Sequence, residues 1–426
     1  MPPPTENSWL RTLIPARPGE VCKVLLSAAY FFLLLMSYYL LRPLREAFGI
    51  SGGADKLPLI WSCTLGVMAL INPLYSALIA RWPRRAFIPG AYQAFALMLI
   101  GFGLMYQWLP GHGGAALGYS FYVWLSVFNL FVVSIFWAFM SDLYNAEDGK
   151  RLFGFIAIGG TLGAIAGAAA TGKFSAWLGS EHSQWLFYIS AFLLELTIVC
   201  VIGLFRMAKE QNANIAEASA EPGPAMTAGF TLLGKSPLLQ SISLYILLYA
   251  LTSTFLYVFQ GRVIEQVFAS NSARIAAFAK IDLWSNVLTL AAQIFFTHRL
   301  VAKLGIPVSL TILPLVTLLG FGSLWLWPGF AALAIFQVMR RGIHYAIDRP
   351  VREMLYIPLG PDVKYKAKSF IDTFVYRSGD FIGIWITPLL QAMSLALSLP
   401  SLGMSALWLG GAAWLSRLVK SKDKSW

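Results

Sequence analysis

Apolar residues fill twelve stretches of this chain, and polar residues collect in the connections between them. The stretches run Val24 to Leu41, Leu57 to Ala80, Phe87 to Trp108, Tyr119 to Leu143, Phe153 to Trp177, Leu186 to Leu204, Leu238 to Phe259, Ile275 to Phe296, Val308 to Trp327, Phe330 to Ile347, Phe370 to Met393 and Leu402 to Leu418. A helix needs about 20 mostly apolar residues to cross a hydrocarbon core of about 30 Å, and each stretch meets or nearly meets that length. The pattern predicts an all-α membrane protein with twelve transmembrane helices.

Composition agrees with this reading. Hydrophobic residues make up 58% of the chain, charged residues only 12%, and the mean hydropathy is +0.65; a soluble chain of 426 residues would carry far more charged surface. The longest polar segment, 206–237, is rich in Ala, Glu, Asn and Pro and reads as a cytoplasmic linker. It divides the chain into a six-helix half at 1–205 and a second at 238–426. The halves echo each other. Arg42, Arg45 and Glu46 close the first helix much as Gln260, Arg262 and Glu265 close the seventh, and a basic turn precedes a glycine-bearing helix in both, at Lys150-Arg151 before Gly159-Gly160 and at Lys366 and Lys368 before Gly379 and Gly383. Two parallel six-helix repeats joined by a central linker give a major-facilitator-like layout, with the substrate near the bilayer midplane.

The net charge of +12 needs no nucleic acid as partner. Most of the 32 Lys and Arg fall in the connections on the side that holds both termini, the firmest markers being Arg81-Trp82-Pro83-Arg84-Arg85 and the tail Lys420 to Lys424. Positive residues stay on the cytoplasmic side, so both termini are expected there, in a bacterial inner membrane. Met1-Pro2-Pro3-Pro4 lacks the charged start of a signal peptide. Cys22, Cys63 and Cys200 show no metal-ligand spacing. No cofactor is expected, and membrane lipid and a small anionic solute are the expected partners of a monomer.

Charge inside the apolar stretches is the candidate chemistry. An ionisable side chain at the bilayer centre costs roughly 2.5 to 3.5 kcal/mol and so normally faces a cavity or a partner. Arg42 and Arg45, three apart on one helix face, can aim two guanidinium forks at a phosphate or carboxylate, or can pair locally with Glu46. Around the tenth helix Arg340, Arg341, His344, Asp348, Arg349, Arg352 and Glu353 follow at helical spacing, with Arg341, Asp348 and Arg352 placed roughly on one face. They read either as a cytoplasmic gate meeting Asp142, Glu147, Lys150 and Arg151, or, for Arg340 and Arg341, as substrate contacts. Arg377 and Asp380 form a coupled pair that a bound anion or proton could separate. Glu195, Asp282 and Asp380 are the few candidate proton carriers, and His344 reads as a hydrogen-bonded packing residue. Gly159-Gly160, Gly163, Gly167 and Gly172 predict close packing of the fifth helix on a neighbour.

Three segments carry a family resemblance. Leu41-Arg42-Pro43-Leu44-Arg45-Glu46, Phe136-Trp137-Ala138-Phe139-Met140-Ser141-Asp142 and Tyr356-Ile357-Pro358-Leu359 running on to Lys364 through Asp372, together with Gly149-Lys150-Arg151-Leu152-Phe153, resemble the ATP/ADP translocases of plastids and intracellular bacteria, which are related to the major facilitators. The resemblance implies transport of a nucleotide-like anion, with Arg45 and Lys368 in the family's basic positions. The family's acidic residues in the fourth and seventh helices have no counterpart, and Asn129 and Gln260 are the nearest polar groups. Strict ATP/ADP exchange is therefore not expected, and a smaller or less charged anion is.

The reading is of a secondary active transporter with substrate contacts at Arg42, Arg45, Asn129, Gln260, Arg340, Arg341, Lys368 and Arg377. Coupling or gating falls to Glu46, Asp142, Lys150, Arg151, Glu265, Asp348, Arg352 and Asp380. A lipid or lipid-precursor flippase of the same fold is the alternative. An enzyme is not expected, since His112, His182, His298 and His344 stand in no metal-binding or nucleophile-activating motif.

Overall fold

The computed structural model describes residues 17, 19–109, 114–210, 233–234, 236–295, 297–356, 367–368, 370–392 and 398–422, without the side chains of 72–81, 146, 150, 209–210, 297–299, 301–302, 391–392, 398 and 421–422. They form long helices in chain order: α1 Val21–Gly49, α2 Leu57–Arg81, α3 Arg84–Trp108, α4 Gly114–Leu143, α5 Ala146–Leu178, α6 Gln184–Glu210, α7 Pro237–Val267, α8 Asn271–Phe295, α9 Thr297–Leu326, α10 Phe330–Ile343, α11 Tyr376–Ala392 and α12 Ser398–Lys422. Among the described residues nine helices are long and apolar enough to cross a membrane. The protein is an integral membrane protein. The last three helices are not among the nine, and two have a visible reason in their length: α10 is 14 residues long and α11 17.

The ends of these helices follow local chemistry. The Asn145 side chain accepts from Asp148 N–H at the start of α5, and the Ser236 hydroxyl accepts from Leu239 N–H at the start of α7, which has Pro in its first turn. Pro43 sits inside α1 between the two arginines and removes the N–H that would reach back one turn. In α9 the helical path breaks at Gly305, whose φ of 73° suits a residue without a side chain, two residues before Pro307.

The contacts divide the chain into two compact units. One comprises 1–51, 63–220 and 270–283, the other 52–62, 221–269 and 284–426. In the first, α1 packs on α5, α6 and α4, and α3 packs on α6. In the second, α7 packs on α11 and α12, and α9 on α12. The pairs first-with-fifth, first-with-sixth and third-with-sixth thus recur six helices later, which is the repeat the sequence echoes only weakly.

Glycine makes the first of these pairs possible. A β-carbon at Gly163 would strike the carbonyl oxygen of Phe32, one at Gly159 that of Ala28, and one at Gly167 would lie 2.6 Å from that of Met36, so any side chain there would force α1 and α5 apart. Thr171, one turn further, donates its hydroxyl to Leu40 O at 2.7 Å. In the second unit a β-carbon at Gly379 would come within 2.7 Å of Ala250 and one at Gly383 within 3.0 Å of Thr254, so α11 lies on α7 by the same device. Buried aromatic rings fill both interiors, with Phe31 stacked on Phe136 at 4.0 Å in the first and Trp408 against Tyr245 at 5.3 Å in the second.

Candidate functional site

Charge is buried in two clusters, one in each unit. In the first, α1 presents Arg42, Arg45 and Glu46. Arg42 Nη1 donates to Asp282 Oδ1 at 2.7 Å, and its Nε stands 4.0 Å from Glu46. Arg45 pairs with Glu46 and reaches Ser126 Oγ at 3.3 Å. Tyr39 and Tyr122 offer ring faces to the two guanidinium groups at 5.5 and 4.9 Å. Two cations and two carboxylates meet here, so the cluster's charge sums to zero. Asp282, from the part of α8 that belongs to this unit, lies 240 residues along the chain from its partner.

The second cluster gathers on α10 and α7. Its backbone widens into a π-helical turn at His344–Asp348 and continues as Arg349–Met354. The extra residue in that turn rotates the following helix by about one residue's step. This corrects the expectation that Arg341, Asp348 and Arg352 share a face. Arg340 instead joins His344, Asp348 and Arg352 around Tyr249, while Arg341 is half-buried. Asp348, 1% exposed, accepts from Tyr245 Oη at 2.5 Å and meets His344 Nδ1 at 3.0 Å and Arg352 Nε at 3.3 Å. The carboxylate thus has two hydrogen bonds and one ion-pair neighbour.

Arg340 is different. It is 4% exposed and donates to Ser253 Oγ at 2.8 Å, Thr317 Oγ1 at 3.2 Å, Thr252 Oγ1 at 3.3 Å and Tyr249 O at 3.4 Å. Every acceptor it has among the described residues is neutral. Within the cluster Arg352 has Asp348 in contact and Asp372 as a further attraction, whereas Arg340 has no carboxylate in contact among the described residues, so its positive charge is the one left unmatched in a buried setting. Buried charge is stable only where it is paired or hydrogen-bonded, and here the hydroxyls of α7 and α9 supply hydrogen bonds without supplying a counter-charge. The run Thr252-Ser253-Thr254 in the middle of an otherwise apolar α7 was the available sequence signal for this cradle.

The other candidate residues are placed singly or in pairs. One turn before Arg340, Gln337 donates to Gln260, and both amides are buried. Asp380 is buried, 3.6 Å from Arg377, and accepts from Thr254 Oγ1 at 3.4 Å. Lys368 holds Glu353 at 2.5 Å, and Glu265 accepts from Ala54 N–H at 3.1 Å. Asn129 is half-buried in α4. In the first unit Asp142 pairs with Arg84, and Arg151 binds Glu20 and Asp148 at 2.8 Å each. The side chain of Lys150 lies outside the described residues. The Arg151 hydrogen bond holds Asp148 below the ordinary carboxylate range; burial pushes Glu20 up, but the Arg17 N–H and Arg151 outweigh it and leave it lowered. Glu195 is half-buried and accepts from Gln93 at 2.8 Å, so this carboxylate has a neutral partner rather than an apolar surround.

No family model matches the chain. It is 21% identical over 349 residues to ADP,ATP carrier protein 1 of Chlamydia pneumoniae, covering 71% of this chain and 68% of that protein. The curated proteins it is similar to include ADP,ATP carriers of Chlamydia and of plastids. ADP,ATP carrier protein 1 of Chlamydia muridarum is 20% identical over 341 residues, of which the chain spans 64% of the carrier's length, and the plastidic ATP/ADP-transporter of Solanum tuberosum is 23% identical over 329 residues, with 52% of its length covered. The named activity of these ADP,ATP carriers is transport, not catalysis. Among solved structures a mutant form of the nucleoside transporter NupG matches with a TM-score of 0.63 over 93% of this chain and 99% of that one, at 14% identity. An auto-inhibited POT family peptide transporter matches with a TM-score of 0.60 at 12% identity, over 93% of this chain and 96% of that one. The chain has the helical fold of these transporters, the major-facilitator-like architecture expected from its sequence.

Proposed function

We propose that this protein is a secondary active transporter that moves an anionic, nucleotide-like or phosphorylated solute by alternating access. The observation that carries the reading is Arg340, a buried guanidinium with an unmatched charge and a ring of hydroxyl acceptors. An anionic group arriving there would supply the missing charge, and a phosphate or carboxylate accepts two parallel N–H bonds from the planar fork. The relatedness to ADP,ATP carriers supports a nucleotide-like solute. In this reading the Gln260–Gln337 amides meet neutral parts of the solute, with Asn129, Arg341, Lys368 and Arg377 as further contacts.

The balanced cluster of Arg42, Arg45, Glu46 and Asp282 suits coupling, because a solute anion entering it would have to displace a carboxylate. Arg377 and Asp380 suit the same task, and Asp142 with Arg84, Arg151 with Glu20 and Asp148, and Lys368 with Glu353 are ion pairs that open at modest cost. Both termini face the cytoplasm of a bacterial inner membrane, with 206–237 linking two six-helix halves. A lipid-flipping reading finds less support. The apolar groove of about 450 Å³ between α2, α3 and α4, lined by Ile71, Phe87, Phe95, Trp124 and Phe131 among others, offers hydrocarbon contact but, among the described residues, no charged lining for a headgroup.

Transport into proteoliposomes tests this function. Uptake of labelled AMP or another singly phosphorylated solute is expected to exceed the exchange of external ATP for internal ADP, because the fourth- and seventh-helix carboxylates expected of the carriers have no counterpart here and Asn129 and Gln260 are the nearest polar groups. Rapid ATP uptake that depends strictly on internal ADP would overturn that substrate preference.

A further inference from the structure

We infer that His344 is a proton-coupling residue, taking up one proton at Nε2 when a phosphate dianion docks at Arg340. This rests on the proposed anion site and adds a coupling ion to it. The first support is position. His344 follows Arg340 by one turn of α10, and both lie on Tyr249, the imidazole stacked at 4.4 Å and 16° and the guanidinium at 5.1 Å. A charge bound by Arg340 is thus felt at the imidazole across a single ring.

The second support is the way the ring is held. His344 Nδ1 is 3.0 Å from Asp348 Oδ2, and the carboxylate fixes the proton on that nitrogen. Nε2 then carries the lone pair, and it has no hydrogen-bond partner among the described residues. The groups facing the ring are Asp348, Arg340 and Arg352 of its own helix, Tyr345 at 4.9 Å, and Tyr249 of α7, behind which stand Tyr245 and, at 6.0 Å, Tyr376 of α11. With no solute, the two arginines and one carboxylate leave one positive charge, so a second cation at His344 would be repelled. A phosphate dianion reverses the sum to one negative charge, and a proton on Nε2 returns it to zero. The proton comes from water on the side from which the solute enters and returns to water on the other, with no other bond made or broken. Spacing supplies the geometry: Arg340 and His344 are one helical turn apart on the same face, and Arg352, beyond the π-helical turn at His344–Asp348, reaches the same Tyr249.

Proton linkage can be counted directly. The purified full-length protein would be titrated with AMP by calorimetry at pH 7 in buffers of different ionisation enthalpy. About one proton taken up per AMP is expected, falling to near zero in His344→Gln and His344→Asn while both still bind AMP. Between pH 7 and 8, where a phosphate monoester with a second pKa of about 6 is already a dianion, wild-type affinity for AMP is expected to fall toward tenfold. That pH series needs no variant and stands if both substitutions fail to fold. Undiminished proton uptake in the His344 variants, or AMP binding by wild type with no uptake and no pH dependence, overturns the inference. Failure of wild type to bind AMP at any pH overturns instead the phosphate-directed reading of Arg340.

Discussion

Arg340→Gln is expected to weaken binding of the anionic solute by about 10- to 150-fold, the equivalent of losing one charge-assisted hydrogen bond worth roughly 1.5 to 3 kcal/mol. The same substitution should leave the unliganded protein as stable as wild type or slightly more so. Glutamine can still donate to Ser253 and Thr252 and brings no unmatched charge into the buried cluster. The combination separates function from folding, since a guanidinium kept for structural reasons would cost stability when removed. Ligand affinity measured beside the melting midpoint of the apo protein reads both. Unchanged affinity, or a large fall in the midpoint, would assign Arg340 to the scaffold.

Asp348→Asn is expected to show the reverse. This carboxylate is buried beneath Tyr245, His344 and Arg352, and its removal leaves Arg352 with no carboxylate in the pair and a tyrosine hydroxyl facing an amide. Breaking a buried ion pair by removing one partner costs about 3 to 5 kcal/mol. Thermal unfolding of the detergent-purified variant should therefore show a large loss, in contrast with Asp142→Asn, whose pair with Arg84 is more exposed. A loss below about 1 kcal/mol for Asp348→Asn would mean that the cluster does not depend on its single carboxylate.

These two residues mark where the sequence was informative and where it was not. Apolar stretches long enough for the bilayer identify the helices, because nothing but a helix satisfies its own backbone there. The spacing of Gly159, Gly163 and Gly167 likewise announces a close neighbour, although only the fold shows it to be α1. The charged stretch Arg340 to Glu353 was equally visible. Ideal helical periodicity, however, placed Arg341 with Asp348, and the π-helical turn at His344–Asp348 moved Arg340 there instead. A one-residue change in helical register leaves no mark in a hydrophobic pattern when every residue of the turn is compatible with either form.

Long-range pairing was hidden for a different reason. Arg42 and Asp282 were each conspicuous as a charge in an apolar helix, but a single sequence gives no reason to join positions 240 residues apart. Arg42 and Arg45 therefore read as cations with Glu46 as their one local partner, whereas their structural setting adds Asp282. The hydroxyl cradle of Thr252, Ser253 and Thr317 was hidden by ordinariness, because serine and threonine inside membrane helices commonly bond their own preceding turn, as Thr252 and Ser253 also do here.

Anion recognition by the unmatched buried guanidinium of Arg340 carries the proposed function. It is tested most directly by thermal unfolding of the purified wild-type protein against a panel of phosphorylated and carboxylated metabolites, the matching neutral nucleosides and phospholipids. A ligand that binds only the folded state raises the midpoint by mass action, by about 2.7 kcal/mol of stability at a hundred times its dissociation constant. At least one singly phosphorylated solute is expected to stabilise the protein, and its neutral nucleoside is not. Stabilisation by neutral nucleosides or by phospholipid alone, with none by any anion, would contradict anion recognition.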